Sequence, residues 1–169
     1  MRKGKRWTAL LLALVLCLSV LPAGVLASEA EAAEVVSPSA MAVTSGKCGK
    51  NLTWKLDSNG TLTISGKGAM YDYFAVAAPW EPQILKIKAI DIKEGVTKIG
   101  AGAFGGCSVK QLKIPNSVTS IGESAFSELG GIKTIKLPSK LKKIGDFTFS
   151  DCYDLTSITI PSGVTNIPC

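Results

Sequence analysis

The chain has 169 residues, and its hydrophobic fraction of 46 % is ample for a folded core. It contains no histidine, which excludes Ser-His-Asp and Cys-His nucleophile pairs, HExxH zinc sites and ordinary imidazole acid–base catalysis. The formal net charge is +6, from 19 basic and 13 acidic residues.

The N-terminus has the three parts of a secretory signal peptide. Basic residues at 1–6 precede an apolar stretch at 9–20 and the small-residue pattern Val25-Leu26-Ala27. The apolar stretch is shorter than the ~20 residues needed to span a bilayer. We therefore predict a signal peptide at residues 1–27, no membrane span after its removal, and a secreted chain with or without attachment to the cell surface.

Removal of the signal peptide changes the charge argument. Arg2, Lys3, Lys5 and Arg6 leave with it, so 15 basic residues remain against 13 acidic ones, a net charge of +2. A balance so close to neutral gives no reason to expect a nucleic-acid partner, and secretion argues against one as well.

Two segments precede the repeats. Residues 28–46 are rich in Ala, Glu and Ser and lack aromatic residues, which predicts a disordered linker. Residues 47–86 are predicted to form an N-terminal β cap. Within it, alternating apolar and polar residues at 52–57 and 62–64 flank Asn59-Gly60, a pattern typical of a β-hairpin.

The second half of the predicted cap is rich in aromatic residues. Tyr71, Tyr73 and Trp80 lie among loop-forming residues. We interpret them as packing residues that cover the first repeat, as the end of a repeat array requires. The alternative is an aromatic platform for a sugar ligand.

A 22–23-residue pattern repeats across residues 87–169, and its last copy is incomplete. Each copy has a first apolar anchor, a pair of strand anchors, an Ile-Gly step and a Phe. These positions are Ile87, Val109, Ile132 and Leu155 for the first anchor; Ile90/Ile92, Leu112/Ile114, Ile135/Leu137 and Ile158/Ile160 for the strand pair; Gly100, Gly122 and Gly145 for the glycine; and Phe104, Phe126 and Phe149 for the aromatic ring. Because one such unit cannot bury its own apolar face, the units must stack. We predict a β-rich solenoid of about four repeats behind the β-hairpin cap.

Lysines recur on the outward side of the predicted strands. Residues between paired anchors point outward, and together with the residues after the first anchor they include Lys88, Lys110, Lys113, Lys133 and Lys136. Stacked strands lie only ~4.8 Å apart, which would crowd these charges on one face. One interpretation is that they keep an exposed strand face soluble. The other is a binding strip for acidic polymers, such as sulfated or sialylated glycans or cell-wall phosphates.

The cysteines do not suggest a metal site. Cys107 and Cys152 occupy the same repeat position, with Leu129 between them, so their α-carbons should lie ~10 Å apart, beyond the ~7 Å limit for a disulfide. We expect buried thiols there. A disulfide between Cys48 and Cys107 remains open as a staple between cap and first repeat. The chain has no C-x-x-C pair, and we expect neither zinc nor another cofactor.

The repeated steps Ile-Pro, Ile-Gly and Ala-Phe carry a family resemblance. Residues 114–126 and 155–167 resemble the BspA-type (Treponema-type) leucine-rich repeat, and residues 48–66 with Pro79-Trp80 resemble the N-terminal segment of many such proteins. The resemblance covers about residues 46–167. It implies a leucine-rich-repeat solenoid, secreted or surface-attached, that adheres to host matrix proteins, host cells or other microbes. It also implies no enzymatic activity of the repeats and supplies no ligand residues.

Three functions are therefore considered. The first is a secreted or cell-surface module that binds host or microbial proteins or glycans without catalysis. The second is a structural spacer of a larger surface protein. The fourth repeat stops at Cys169, and we therefore interpret the chain as an N-terminal fragment of that protein. Its open last repeat can then associate end to end with a second copy. The third is a carbohydrate-active enzyme that uses a carboxylate pair, Asp91 with Glu94 or Asp151 with Asp154.

Overall fold

The computed structural model describes residues 44–165; the predicted signal peptide and nearly all of the predicted linker lie outside them. Within these residues the chain forms eleven short strands and one 3-10 helix. In chain order they are β1 (Ser45–Gly49), β2 (Leu52–Leu56), β3 (Thr61–Gly66), β4 (Gly68–Ala69), the 3-10 helix (Glu81–Lys86), β5 (Ala89–Ile92), β6 (Val96–Ile99), β7 (Gln111–Lys113), β8 (Ser120–Ile121), β9 (Thr134–Lys136), β10 (Lys143–Ile144) and β11 (Ser157–Thr159).

The strands stack into parallel ladders, as a β-rich repeat fold requires. One sheet has the strand order β1-β2-β3-β5-β7, a second has the order β10-β8-β6-β4, and β9 pairs with β11 in a third. The pairs from β3 onward are parallel, whereas β1, β2 and β3 pair antiparallel. The prediction of a β-rich repeat fold is confirmed. The predicted linker at 28–46 is wrong at its end, because Ser45 and Gly46 pair with β2.

The predicted cap segment, residues 47–86, contributes strands to the repeat ladders themselves. β3 pairs in register with β5, with Leu62 opposite Ile90 and Ile64 opposite Ile92. β4 likewise pairs with β6. These two strands thus hold the positions of repeat strands, although their sequence lacks the Ile-Gly step that marks the later repeats.

One column of rings runs through the core. Trp54 packs edge-on against Trp80, with ring centroids 5.9 Å apart. Trp80 then stacks on Phe104 at 5.4 Å, Phe104 on Phe126 at 5.5 Å, and Phe126 on Phe149 at 5.9 Å. Aromatic pairs at this spacing stabilise a fold by more than the burial of their apolar area alone. The Phe residues that recur in the sequence therefore form the spine of the fold, and Trp80 belongs to it.

The burial of Trp80 removes the aromatic sugar platform. Its side chain is 1 % exposed, and its Nε1 donates a hydrogen bond to the Ala103 carbonyl at 3.0 Å. Tyr73 is half-buried edge-on against the same ring, with ring centroids 5.6 Å apart, so Tyr71 is the one exposed ring of the three. The platform hypothesis is wrong, because Tyr73 and Trp80 pack against each other and Trp80 stacks on Phe104 of the first repeat.

The Ile-Gly steps mark the closest approach of successive repeats. A β-carbon on Gly122 would lie 2.5 Å from the backbone nitrogen of Ala101, and one on Gly145 would clash with that of Glu123. Gly100 meets the carbonyl oxygen of Tyr71 in the same way. The motif is thus explained by stacking, since the backbones of successive repeats meet where only glycine fits.

In the turn after each Ile-Gly step, the second residue after the glycine has left-handed backbone. This position is Gly102 in one repeat, Ser124 in the next and Phe147 in the third, with φ of 63°, 50° and 53°. A left-handed backbone is costly for a residue with a bulky side chain. Phe147 gains little packing in return, since it is 56 % exposed.

We therefore expect Phe147→Gly to raise the free energy of unfolding by about 1 kcal/mol through relief of this strain, measured as a higher urea midpoint at unchanged m-value. Phe147→Ala is the control, since it removes the exposed ring and keeps the strained L residue. An equal gain in both variants would mean that the ring itself, and not the backbone, carries the cost.

Candidate binding cleft between two repeats

The link between successive repeats changes length along the chain. It runs from the repeat position that holds Cys107, Leu129 or Cys152 to the first apolar anchor of the following repeat. One residue separates Cys107 from Val109, whereas two separate Leu129 from Ile132. The structure shows the extra residue as a local bulge. Ser108 and Gly130 form an isolated parallel β-bridge, and the Val109 N–H donates a hydrogen bond to the Gly130 carbonyl at 2.9 Å. The next residue, Gly131, has left-handed backbone with φ 81°. A β-carbon on Gly131 would lie 2.7 Å from the Val109 carbonyl oxygen.

This bulge separates β7 from β9. β7 pairs with β5 on one side and is the edge strand of the five-stranded sheet, while β9 pairs with β11 in a sheet of its own. A bulge interrupts a ladder because one strand carries a residue that has no partner. The link before β11 is two residues long, like the link before β9, so β9 and β11 stay in register and the ladder resumes there.

A cleft of about 520 Å³ lies beside the interrupted ladder. One wall carries a chain of hydrogen bonds across three repeats: Glu94 Oε1 accepts from the Asn116 N–H at 3.1 Å, and Asn116 Oδ1 accepts from the Ser139 N–H at 3.3 Å. The remaining lining residues are apolar or cationic: Leu112, Ile114, Pro115, Leu137 and Pro138, with Lys113 and Lys136. A volume of this size is within the range of ligand pockets, about 300–1,000 Å³.

The cleft divides the five lysines that were predicted to form one face. All five are exposed, but only Lys113 and Lys136 line the cleft. Lys88 lines a separate hollow beside Gln83 and Lys86. Lys110 and Lys133 precede β7 and β9 and line neither hollow. The five lysines therefore do not lie on one continuous ladder, because the ladder is broken between the second and third repeats.

The cationic side chains of the cleft are available to a ligand. Among the ion pairs of residues 44–165, none involves any of the five lysines. Asp91 lies opposite Lys113 in the ladder, but its carboxylate pairs with Lys93, with Nζ and Oδ2 2.6 Å apart. Lys136 is paired in register with the neutral Thr159. The cleft thus presents two ammonium groups without an internal partner.

The two carboxylate pairs proposed for catalysis have structural partners. Asp91 is held by Lys93, and Glu94 accepts the Asn116 N–H. Asp154 Oδ2 accepts the Gly131 N–H at 2.7 Å and so supports the bulge.

Asp151, the other member of the second pair, has φ 56° and accepts hydrogen bonds from the hydroxyls of Ser150 and Tyr153. The bond from Tyr153 raises the pKa of that phenol. The four carboxylates are thus placed as acceptors for turns and neighbouring repeats.

The thiols of Cys48, Cys107 and Cys152 are free in the described residues. The prediction that Cys107 and Cys152 do not bridge is confirmed, although only Cys107 is buried and Cys152 is half-buried. The Cys48–Cys107 staple does not form. Burial raises the pKa of both thiols to about 12. Burial also raises the pKa of Cys152.

We expect Cys107 to react with iodoacetamide at pH 8 at least about 1,000-fold more slowly in the folded chain than in urea, because the thiolate is the nucleophile and is scarce when the pKa is near 12. Peptide mapping by mass spectrometry measures the rate for each cysteine. Rapid labelling of folded Cys107 would contradict the packing. Failure to label Cys48 and Cys107 in urea without reductant would reveal a disulfide between them.

Two further properties hold for residues 44–165. No group of three or more Cys, Asp or Glu side chains is arranged to hold a metal ion. Nor does the segment contain a helix long and apolar enough to cross a membrane.

Parallel ladders, a spine of stacked rings and a 22–23-residue period define a solenoid of the leucine-rich-repeat class. Residues 83–168 match the family described as BspA type leucine rich repeat region, in six copies. The chain belongs to this family, and the predicted resemblance is confirmed. The count of six differs from the four repeats predicted from the 22–23-residue period.

Two solved structures are similar to the chain. A leucine-rich repeat protein from Eubacterium ventriosum shares 27 % identity and a TM-score of 0.58 over 72 % of this chain, which spans 38 % of that protein. A leucine rich cell surface protein from Faecalibacterium prausnitzii shares 18 % identity and a TM-score of 0.40, over 72 % of this chain and 55 % of that one. No curated protein matches the chain.

Sequence reasoning located the lysines and missed the cleft. The available signal was the extra residue between Leu129 and Ile132, which shifts the period from 22 to 23. A change in period by one residue does not by itself say whether the added residue is absorbed in a turn or breaks a ladder, and here it breaks one.

Proposed function

We propose that this chain is a secreted or cell-surface leucine-rich-repeat module that binds an anionic protein or glycan through the cleft between β7 and β9, without catalysis. The observation that carries the proposal is the pair of unpartnered ammonium groups, Lys113 and Lys136, beside an apolar and hydrogen-bonding wall. Such a site selects ligands by charge and offers area for contact.

The absence of catalysis is supported by the side chains that would perform it. The chain has no histidine. Its candidate carboxylates hold Lys93, Asn116 and Gly131 in place, and a solenoid of this class commonly presents a surface for binding. The predicted signal peptide at 1–27 supports the location.

The N-terminal strands fit the role of a cap in this proposal. β1 and β2 cover the first parallel strand, β3, by antiparallel pairing, and the apolar face of β2 is buried at Leu52, Trp54 and Leu56. We propose that they close one end of a solenoid of about four repeats. The opposite end is proposed to associate with a second copy through β11.

Binding of the secreted chain, residues 28–169, to an array of matrix proteins and glycans at two salt concentrations tests the proposal. Saturable binding that weakens with salt is expected, since exposed charges are screened within about 10 Å at 0.1 M salt. The double variant Lys113→Gln/Lys136→Gln should bind less. Its matched control is Lys110→Gln/Lys133→Gln, which removes the same charge from the same two repeats outside the cleft.

A structural spacer is the second candidate. Lysine is a common solubilising residue on exposed strands, and this chain spans only 38 % of its Eubacterium ventriosum relative. Complete lack of binding by a folded, monomeric chain would favour the spacer and overturn the binding proposal.

A further inference from the structure

We infer that the cleft receives an extended acidic polypeptide segment, which adds to β7 as a further strand. The inference rests on the proposed function and narrows its ligand from anionic polymers in general to peptide. Three features of the cleft carry it: a strand edge, an uncovered apolar strip and the placement of the two lysines.

The strand edge is the first feature. β7 is paired with β5 on one side only, with Gln111 opposite Ala89 and Lys113 opposite Asp91. On its other side β7 has no paired strand, because β9 of the next repeat pairs with β11 instead. An edge strand presents a row of backbone N–H and C=O groups that pair readily with an incoming strand. The geometry is unusual for an internal position of a solenoid, where the next repeat normally covers this edge.

The uncovered apolar strip is the second feature. Leu112 and Ile114 are only half-buried, whereas the anchors beside them in the preceding repeat, Ile90 and Ile92, are 1 % and 2 % exposed. The difference goes with the missing strand pair, because β9 does not pair with β7 as β7 pairs with β5. A strand added at this edge would place alternate side chains over Leu112 and Ile114.

The charges are the third feature. Lys113 lies at the end of β7 and Lys136 at the end of β9, and both line the cleft. An added strand directs its other side chains to the opposite face, where carboxylates can reach these ammonium groups. The pattern that fits is therefore an alternation of acidic and apolar residues.

A peptide fits these features better than a sugar polymer. The described residues that line the cleft include no aromatic ring on which a sugar could stack. An extended peptide can form a ladder of regularly spaced hydrogen bonds with the exposed backbone edge, whereas a polysaccharide has no backbone that matches this spacing. An acidic glycan bound through charge alone is kept as an outcome of the test.

The test uses the synthetic hexapeptide Glu-Val-Glu-Val-Glu-Val, capped at both ends, with heparin as the carbohydrate probe. In an added strand the N–H groups of alternate residues face the edge and the others face away. We therefore compare two modified peptides, one N-methylated at every Glu and the other at every Val. We expect one set to lose affinity by more than about 30-fold and the other to keep it, since several backbone hydrogen bonds are lost in only one of them.

Lysine variants of the secreted chain complete the test. Lys113→Gln/Lys136→Gln should weaken binding of the unmodified peptide by about fivefold to tenfold. Lys110→Gln/Lys133→Gln should leave it within about twofold. All four side chains are exposed, so the variants are expected to fold, and circular dichroism checks this.

Each outcome decides a separate question. Equal loss, or no loss, in the two N-methylated peptides would overturn strand addition and leave anion binding in place. Heparin binding that depends on Lys113 and Lys136, with no peptide binding, would overturn the peptide ligand alone. If neither probe binds and the array is also negative, both the inference and the proposed function fail.

Discussion

Phe126→Ala is expected to lower the free energy of unfolding by about 4 kcal/mol, which is a large part of the 5–15 kcal/mol typical of a domain. Phe126 is fully buried, and its ring stacks between Phe104 at 5.5 Å and Phe149 at 5.9 Å. Truncation leaves a cavity in the middle of the ring column, and repeats on either side cannot close it without losing their ladder register.

The effect should extend to cooperativity. Each repeat contacts only its neighbours, so a cavity at Phe126 weakens the coupling between the repeats before and after it. We expect a lower urea midpoint together with a smaller m-value, as the C-terminal repeats unfold separately. Phe147→Ala is the control, because that ring is 56 % exposed. A loss below about 1.5 kcal/mol at Phe126 would show that the column does not hold the repeats together.

Gly122→Ala should destabilise the chain by about 3 kcal/mol, at the upper end of the effect of overpacking. The added methyl would lie 2.5 Å from the nitrogen and 2.7 Å from the α-carbon of Ala101. These are backbone atoms of the preceding repeat, so no rotamer change relieves the contact and the two repeats must separate.

Gly105→Ala is the matched control for this substitution. Its β-carbon would lie 3.2 Å from the Ser127 hydroxyl and no closer than 3.7 Å to backbone atoms, and a serine side chain can rotate away. Thermal and urea unfolding of both variants should give a change within about 0.5 kcal/mol for Gly105. Comparable losses in the two variants would contradict the assignment of the Ile-Gly step to close stacking.

These predictions follow residues that the period alone identified. Phe104, Phe126 and Phe149 recur at fixed positions, and so do Gly100, Gly122 and Gly145. Repetition at one position predicts contact between equivalent residues, because stacked units place them one above another. The rings and glycines do lie in columns. Trp80 escaped this reasoning, since it lies in the segment predicted as the cap.

The cleft was not predictable in the same way. Five lysines at recurrent positions predict a continuous basic face only if every strand continues the ladder. The structure places Lys113 and Lys136 at the edges of two different sheets. The fate of one extra residue at Gly130-Gly131 depends on contacts with Val109 and Asp154, which lie one repeat away in either direction.

The sequence by itself determined the repeat, its family, the alternation of apolar anchors and the exposure of the lysines, because these follow from a period and from side-chain polarity. Only the tertiary structure decided where the ladder breaks, that β3 and β4 join it, and that Trp80 stacks on Phe104. Each of these depends on hydrogen bonds and ring contacts between residues more than twenty positions apart. A local pattern does not specify such pairings, since the energy that selects them comes from the neighbouring repeat.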